Sequence, residues 1–159
     1  MSHQTNIKLC LKDRKALVEA LVDCGIPRAA IECYEKPLPV IDYEGRKTKY
    51  VFQDTGDKRF AEGDVAHVIV RKSTLAGDHN DLGFFLDKDD SRMIVCEYTK
   101  STGSPVFKTP EGVRVGTDQW IKEVKARYVF HETKNHYRPL GKKVHEKLVD
   151  GKRHLFVSL

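Results

Sequence analysis

No hydrophobic run in this 159-residue sequence approaches the ~20 residues that cross a membrane, and residues 1–6 lack the charged-then-apolar pattern of a signal peptide. We therefore expect a cytoplasmic protein. The four cysteines include no Cys-x-x-Cys pair and no histidine at zinc-finger spacing, which argues against a zinc site. In a reducing compartment these thiols are expected to be small buried side chains.

The sequence also lacks the short motifs of several common chemistries. It contains no GxxxxGK[ST] phosphate-binding loop, no GxGxxG dinucleotide-binding loop and no HExxH metalloprotease motif. We expect no cofactor, and a non-enzymatic protein is favoured over an enzyme. A Cys–His nucleophile pair assembled by the fold stays open, since no local pattern argues for one.

Basic residues concentrate in the C-terminal third of the chain. The whole chain has 28 Lys and Arg against 23 Asp and Glu, a net charge of +5. Residues 101–159 hold 12 basic and 6 acidic side chains, a net +6, whereas residues 1–100 hold 16 and 17. An anionic partner is therefore expected to meet the C-terminal third.

Hydrophobic periodicity predicts the first helix and most of the strands. Alternation over residues 7–12 predicts a half-buried strand. Asp13 is placed to N-cap an amphipathic helix that ends at Gly25. Further strands are predicted at 30–34 (interrupted by Lys36–Pro39), 40–43, 47–52, 65–71, 82–86 and 92–98, the last three forming an antiparallel meander.

The last third predicts a second helix and a hairpin. Thr117 is placed to N-cap a helix over residues 118–136. Residues 142–149 and 152–159 alternate on either side of Asp150-Gly151, a dipeptide typical of the type I′ hairpin turn. We expect this hairpin to pair into the sheet. The polar segments 53–64 and 99–116 are expected to be surface loops.

These patterns predict a single α+β domain over residues 1–159. Its sheet is antiparallel or mixed, with about five to seven strands, two helices packed on one face and a C-terminal β-hairpin. The strand–helix–strand order at the start is similar to the split βαβ arrangement of ferredoxin-like folds. The expected core residues are Leu17, Leu21, Ile69, Val70, Phe84, Ile94, Val95, Val124 and Tyr128.

The candidate binding surface consists of basic residues in the last third, interleaved with Tyr128, Phe130, Tyr137 and Phe156. Cations beside aromatic rings are typical of nucleic-acid surfaces; the alternative is a solvated helix and hairpin diluted by acidic neighbours. The residues assigned to an anion, a nucleic acid or a protein partner are Lys122, Lys125, Arg127, Lys134, Arg138, Lys142, Lys143, Lys152 and Arg153.

One polar segment and three histidines are further candidates for a chemical role. Asp78-His79-Asn80-Asp81 would bind a metal only with a ligand from elsewhere, and its composition is more typical of a hydrogen-bonded turn. His131 falls on the apolar stripe of the second helix, where a satisfied core histidine is expected. His145 and His154 are expected to add to an anion-attracting hairpin surface. We assign no catalytic residue and no metal ligand.

Several segments, in their order over nearly the whole chain, resemble one family, the hypothetical chloroplast reading frame thirty-five family, a domain of unknown function. They are Ser2-His3, Ile7-Lys8, Asn80-Asp81-Leu82-Gly83-Phe84, Arg127-Tyr128 with His131, and the Asp150-Gly151 hairpin. Gln4 stands where the family more often has an aromatic residue. Members occur in plastid, cyanobacterial, other bacterial and phage genomes. The resemblance implies a bacterial cytoplasm, or the host cytoplasm for a phage protein, and company with ATPase-bearing proteins, but no established reaction.

Two functions from different classes follow. The first is a small non-enzymatic accessory or adaptor protein that binds a protein partner, which the resemblance suggests to be an ATPase-containing assembly. Such a protein would use a sheet edge or an exposed apolar patch. The alternative is a nucleic-acid-binding protein that uses the basic C-terminal helix and hairpin.

Overall fold

The computed structural model describes residues 4–42, 44–45, 65–76 and 79–158. The predicted hairpin arm at 47–52 and the predicted loop at 53–64 lie outside these residues, as do Asp78 and Leu159. The elements, in chain order, are β1 (Gln4–Leu9), α1 (Arg14–Asp23), β2 (Ile31–Pro39), β3 (Val65–Val70), α2 (Lys72–Leu75), β4 (Leu82–Phe85), β5 (Ser91–Cys96), α3 (Glu97–Thr102), α4 (Asp118–Tyr137), β6 (Lys143–Val149) and β7 (Lys152–Ser158).

Five strands form the main sheet, in the spatial order β1-β5-β4-β3-β2. Every neighbouring pair is antiparallel. The α+β class and the β3–β5 meander are therefore as predicted. Because four antiparallel pairings separate the two edge strands, β1 and β2 run parallel to each other. The β1-α1-β2 unit is thus a split βαβ connection with three strands between its ends.

Helices α1 and α4 pack together against one face of the main sheet, and both predicted N-caps are confirmed. Asp13 Oδ1 accepts the Ala16 amide N–H at 3.2 Å, and Thr117 Oγ1 accepts the Trp120 amide N–H at 3.3 Å. Both helices contribute to one hydrophobic cluster with the sheet. All nine expected core residues, from Leu17 to Tyr128, are buried.

A smaller apolar cluster lies on the opposite face of the main sheet. Ile69 and Ile94 point to that face, because successive side chains of a strand alternate, and they pack with Val40 and Ala66. Gly83 lies between them. A Cβ at Gly83 would stand 2.9 Å from the Ala66 Cβ and 3.0 Å from a Val40 methyl carbon. Only glycine therefore allows β4 this close approach.

The expected burial of the cysteines is confirmed for two of the four. Cys24 and Cys96 are buried, whereas Cys10 and Cys33 are exposed. Cys10 follows β1 immediately, and Cys33 lies in the edge strand β2. The expectation of burial is therefore wrong at these two positions, where residue type alone does not show that the chain runs along the surface.

Strand β2 is longer than predicted. The expectation that Lys36–Pro39 interrupts it is wrong, because β2 continues to Pro39. It is an edge strand, where a proline can sit without breaking the sheet ladder. The irregularity takes the form of a register shift, in which Cys33 pairs with Val68 and Leu38 with Ala66.

The segment 99–116 is not simply the surface loop that we expected. Residues 97–102 form α3, so that β5 ends at Cys96, two residues earlier than predicted. Beyond this helix, Ser104 is buried and its Oγ donates a hydrogen bond to the Leu75 carbonyl at 2.8 Å. The segment packs onto the fold because its buried polar groups find partners there.

The C-terminal hairpin forms where the sequence predicts it but stands outside the main sheet. Its strands join through Asp150 (φ 51°) and Gly151 (φ 75°), the two positive-φ positions of a type I′ turn. β6 and β7 form a separate two-stranded sheet, so the expectation that they pair into the main sheet is wrong. β6 packs beside α4 instead. Alternation predicts the hairpin but does not encode the surface on which it docks.

Candidate functional site

The register of the C-terminal hairpin creates two different faces. The inner face comprises Val144, Glu146, Leu148, Arg153, Leu155 and Val157. The outer face comprises Lys143, His145, Lys147, Val149, Lys152, His154, Phe156 and Ser158. Val144, Glu146 and Leu155 are half-buried, whereas every member of the outer face is exposed. The inner face therefore rests on the rest of the protein.

The outer face is basic and carries no acidic side chain. Its register positions hold three lysines and two histidines. Phe156, which is 49% exposed, adds an aromatic ring to this face, and the His154 ring stacks on it with centroids 6.3 Å apart. Positive charge beside an exposed ring makes this face attractive to an anionic partner.

Ion pairs hold the inner face against the helices. Glu146 accepts a hydrogen bond from Arg127 Nη1 at 2.5 Å and another from Arg153 Nη1 at 3.1 Å. Arg153 Nη2 also donates to Glu123 at 2.8 Å, and Arg127 Nε donates to Asp23 at 3.1 Å. We call these five residues the anchor cluster. It ties both hairpin strands to α4 and, through Asp23, to α1.

Arg127 is the central member of the anchor cluster. Its partial burial acts to lower its pKa, but the hydrogen bond and charge of Asp23, together with Glu146, outweigh burial, so the pKa of Arg127 lies above its usual value. The Phe130 ring lies 4.5 Å from the guanidinium carbon, a cation–π contact. Arg127 therefore stays charged, and its charge is already paired inside the protein.

His131 extends the anchor cluster towards the first helix. Its Nε2 lies 2.5 Å from Asp23 Oδ2, and its Nδ1 lies 3.3 Å from Glu19 Oε2 without hydrogen-bond geometry. The ring is buried, as expected for a core histidine, but the expectation that it is satisfied is wrong, because its buried Nδ1 has no hydrogen-bond partner among the described residues. Its neighbours are nevertheless two carboxylates of α1, which no pattern within the second helix reveals.

The structure divides the nine predicted cations among different environments. Arg127 and Arg153 belong to the anchor cluster and face inward, with their charges already paired. Lys143 and Lys152 lie on the outer face. Lys147 shares that face, although the predicted set omits it. The alternation that predicts the hairpin could have identified it, because Lys147 lies four residues from Lys143 and therefore on the same side of β6.

The remaining predicted cations do not share one surface. Lys125 and Lys134 are nine residues apart on α4, and at about 100° per residue they lie on opposite sides of that helix. Lys142 is half-buried, with its Nζ 5.7 Å from the centre of the Tyr137 ring. The exposed members outside the hairpin are Lys122, Lys125, Lys134 and Arg138.

Apolar side chains are exposed on both faces of the hairpin. Leu148 is 68% exposed, and Val149, Phe156 and Val157 are exposed as well. Within the described part of the chain, β6 and β7 pair only with each other, so each has an unpaired edge. Exposed apolar side chains beside unpaired strand edges are typical of protein-binding surfaces.

The Asp78-His79-Asn80-Asp81 segment is buried over its described residues, 79–81. Asp81 Oδ2 accepts hydrogen bonds from Arg71 Nη1 at 2.8 Å and from the Ile41 amide at 3.0 Å, and Oδ1 accepts the first amide N–H of α2 at 2.7 Å. These partners of Asp81 lie nine or more residues away in the chain, outside the local turn that we expected. Among the described residues, no three His, Cys, Asp or Glu side chains are grouped to hold a metal ion.

A thiol, a hydroxyl and an imidazole form a hydrogen-bonded row that sequence reasoning missed. Thr99 Oγ1 lies 2.8 Å from Cys96 Sγ and 2.7 Å from His79 Nδ1. Cys96 also caps α3, since its Sγ accepts the Thr99 amide N–H at 3.4 Å. All three residues are buried. The row therefore fixes α3 against β5 and does not present the thiol to a substrate.

No helix in the described ranges is both long and apolar enough to span a bilayer. Comparisons with protein-family models, with curated proteins and with solved structures found no match. The family resemblance of the sequence therefore stays a prediction.

Proposed function

We propose that this protein is a non-enzymatic accessory protein that binds a protein partner through the β6–β7 hairpin. The observation that carries the proposal is a two-stranded sheet outside the main sheet, with unpaired edges in the described part of the chain and exposed apolar side chains on both faces. Exposed apolar side chains beside unpaired strand edges form a surface that a protein partner can cover. The resemblance suggests an ATPase-containing assembly as the partner.

The anchor cluster supports this function because it presents the hairpin in one orientation. Glu146 joins Arg127 of α4 to Arg153 of β7, and Asp23 joins Arg127 to α1. A surface held in its binding conformation loses less conformational entropy when a partner docks. These ion pairs therefore favour binding without contacting the partner.

Capture from a lysate of the host organism tests the proposal. Tagged wild-type protein is compared with the double variant Leu148→Asp, Phe156→Asp. The matched control, Tyr98→Asp with Val106→Asp, changes two exposed apolar side chains outside the hairpin. We expect quantitative mass spectrometry to show a partner that the hairpin variant loses and the control retains. Identical protein sets from the two variants would contradict the proposal.

A second candidate function, nucleic-acid binding, is favoured by the acid-free outer face. A two-stranded β-ribbon fits the major groove of B-DNA, and lysines on such a ribbon would contact phosphates. Gel shifts with single- and double-stranded DNA and RNA at two salt concentrations test it. The variant Lys147→Glu, Lys152→Glu should weaken binding to all sequences alike, whereas Lys8→Glu, Lys15→Glu should not. Absence of salt-sensitive binding at micromolar protein would exclude this function.

A further inference from the structure

Strand β7 has an edge with backbone groups that no described strand pairs. In a two-residue hairpin the two residues next to the turn, here Val149 and Lys152, form two backbone hydrogen bonds with each other. Along each strand from there, residues whose backbone groups face the partner strand alternate with residues whose backbone groups point outward. The backbone N–H and C=O groups of Arg153, Leu155 and Val157 therefore point away from β6. They form a row that a third strand can pair with.

Two of the other three edges of the described sheets are less suited to a third strand than β7. β2, at one edge of the main sheet, contains Pro37 and Pro39, which lack an N–H, and its register shifts between Cys33 and Leu38. β6 packs beside α4, and its Glu146 is held in the anchor cluster. β7 contains no proline and follows an unbroken register from Lys152 to Ser158.

A strand added to β7 would continue both faces of the hairpin. On the outer face its side chains would lie beside Lys152 and His154, and on the inner face beside Leu155 and Val157. A segment that alternates acidic with apolar residues matches both faces. We propose that the partner binds by adding such an extended acidic segment to the free edge of β7. This inference rests on the proposed function.

Charge favours this occupant over a second copy of the chain. A second β7 strand would bring no acidic side chain to Lys152, because its seven residues contain none, whereas an acidic segment supplies the opposite charge. Nucleic acid would use the outer face alone. It would leave Leu155, Val157 and the backbone groups of the edge unused, whereas an alternating peptide uses all of them.

Fluorescence anisotropy with the full chain and a labelled synthetic peptide tests the inference. The peptide matches β7 in length, seven residues, and alternates glutamate with valine. One control peptide has the same composition in an order that breaks the alternation, and another carries lysine in place of glutamate. We expect the alternating acidic peptide to bind at least about tenfold more tightly than either control.

Variants of β7 separate strand addition from charge attraction. Val157→Pro removes an N–H that points to the free edge and keeps the hydrogen bonds to β6. It should therefore weaken binding of the acidic peptide about tenfold or more. Val157→Thr keeps both the shape and the N–H, and should bind within about twofold of wild type. Should Val157→Pro disturb the hairpin, the shuffled acidic peptide decides, because it keeps the charge of the alternating peptide and loses the alternation that strand addition needs.

Each unfavourable outcome identifies what is wrong. Equal binding of the alternating and shuffled acidic peptides, or unchanged binding by Val157→Pro, would overturn strand addition. If a duplex DNA oligonucleotide binds more tightly than the acidic peptide, and Val157→Pro leaves that DNA binding unchanged, the occupant is nucleic acid and not a peptide. A dimer in size-exclusion chromatography that Val157→Pro dissociates would make a second copy the occupant. If peptides fail while lysate capture still depends on Leu148 and Phe156, strand addition falls and the proposed function stands.

Discussion

The main sheet with α1 and α4, which we call the body, and the C-terminal hairpin are stabilised by different interactions. In the body, large side chains such as Leu21, Phe84 and Trp120 are fully buried. Between Lys143 and Ser158, by contrast, no side chain is fully buried. The body is stabilised by apolar burial, and the hairpin by its turn, its ladder and the anchor cluster.

The hairpin is expected to open more readily than the body. Segments with few buried apolar contacts open at a lower free energy than the global unfolding of the domain. We therefore expect the hairpin to exchange its amide hydrogens sooner than β3, β4 and β5 do. A partner that binds only the closed hairpin would lower the fraction of molecules in which it is open.

The largest expected effect on stability, and so the strongest test of the difference between body and hairpin, comes from truncating a buried side chain in the body. Leu21→Ala should lower the free energy of unfolding by about 2–5 kcal/mol, because it removes a buried side chain and leaves a cavity. Leu148→Ala, at an exposed hairpin position, is the matched control and should change it by less than about 0.5 kcal/mol. Chemical denaturation measures both, and equal losses would contradict the contrast.

The next largest loss of stability is expected from removing the Tyr128 hydroxyl, because this group joins α4 to the start of α1. It accepts the backbone N–H groups of Lys12 and Asp13 at 2.9 and 2.8 Å. Tyr128→Phe leaves both donors without this acceptor and should cost about 1–3 kcal/mol. Thermal denaturation at neutral pH measures the loss. An unchanged melting temperature would show that these hydrogen bonds do not stabilise the body.

Alkaline pH probes the same hydroxyl in the wild-type protein. Burial, with the Glu132 carboxylate next, raises the pKa of Tyr128 from 10.0 to about 12. The folded state therefore holds this proton more tightly than the unfolded state, so the stabilisation is fully present below pH 10 and is lost between pH 10 and about 12. The melting temperature should fall less steeply over this range in Tyr128→Phe than in wild type. Parallel curves would contradict this assignment.

The hairpin turn gives a smaller, local effect. At Gly151 the positive φ strains a β-branched residue, so Gly151→Val should destabilise the hairpin by about 1–2 kcal/mol. Gly151→Asn, which tolerates that conformation better, is the control. Hydrogen exchange should quicken in β6 and β7 and stay unchanged in β3 to β5. Faster exchange throughout the body would mean that the hairpin supports the main sheet.

The smallest effect is expected from the anchor cluster. Glu146→Gln removes the charge that faces Arg127 and Arg153 and should cost on the order of 1 kcal/mol or less, since the pairs are partly solvated. Glu111→Gln, at an exposed position, is the control. Hydrogen exchange of the hairpin at low and high salt measures the effect. A cost that high salt leaves unchanged would contradict an electrostatic anchor.

Much of the body can be predicted from the sequence, because its signals are local. Asp13 and Thr117 mark the starts of α1 and α4, and the apolar periodicity of each helix identifies the buried face. The departures have tertiary causes. Strand β2 tolerates Pro37 and Pro39 because it lies at an edge, and residues 97–102 form a helix that Cys96 caps.

The candidate site could be predicted only in part. The excess of basic residues indicates where positive charge is concentrated, but a count of charges does not show which cations have internal partners. Arg127 and Arg153 are used within the protein, whereas Lys147, omitted from the predicted set, lies on the outer face. Strand register, rather than composition, separates the two faces of the hairpin.

The sequence by itself determined the caps, the helix periods and the Asp150-Gly151 turn, because each depends on residues only a few positions apart. The tertiary structure alone decided that the hairpin docks beside α4 and leaves the edge of β7 unpaired by any described strand. The anchor depends on pairs such as Asp23 with Arg127, which are 104 residues apart. Such pairs exist only after the body has folded and brought the two helices together.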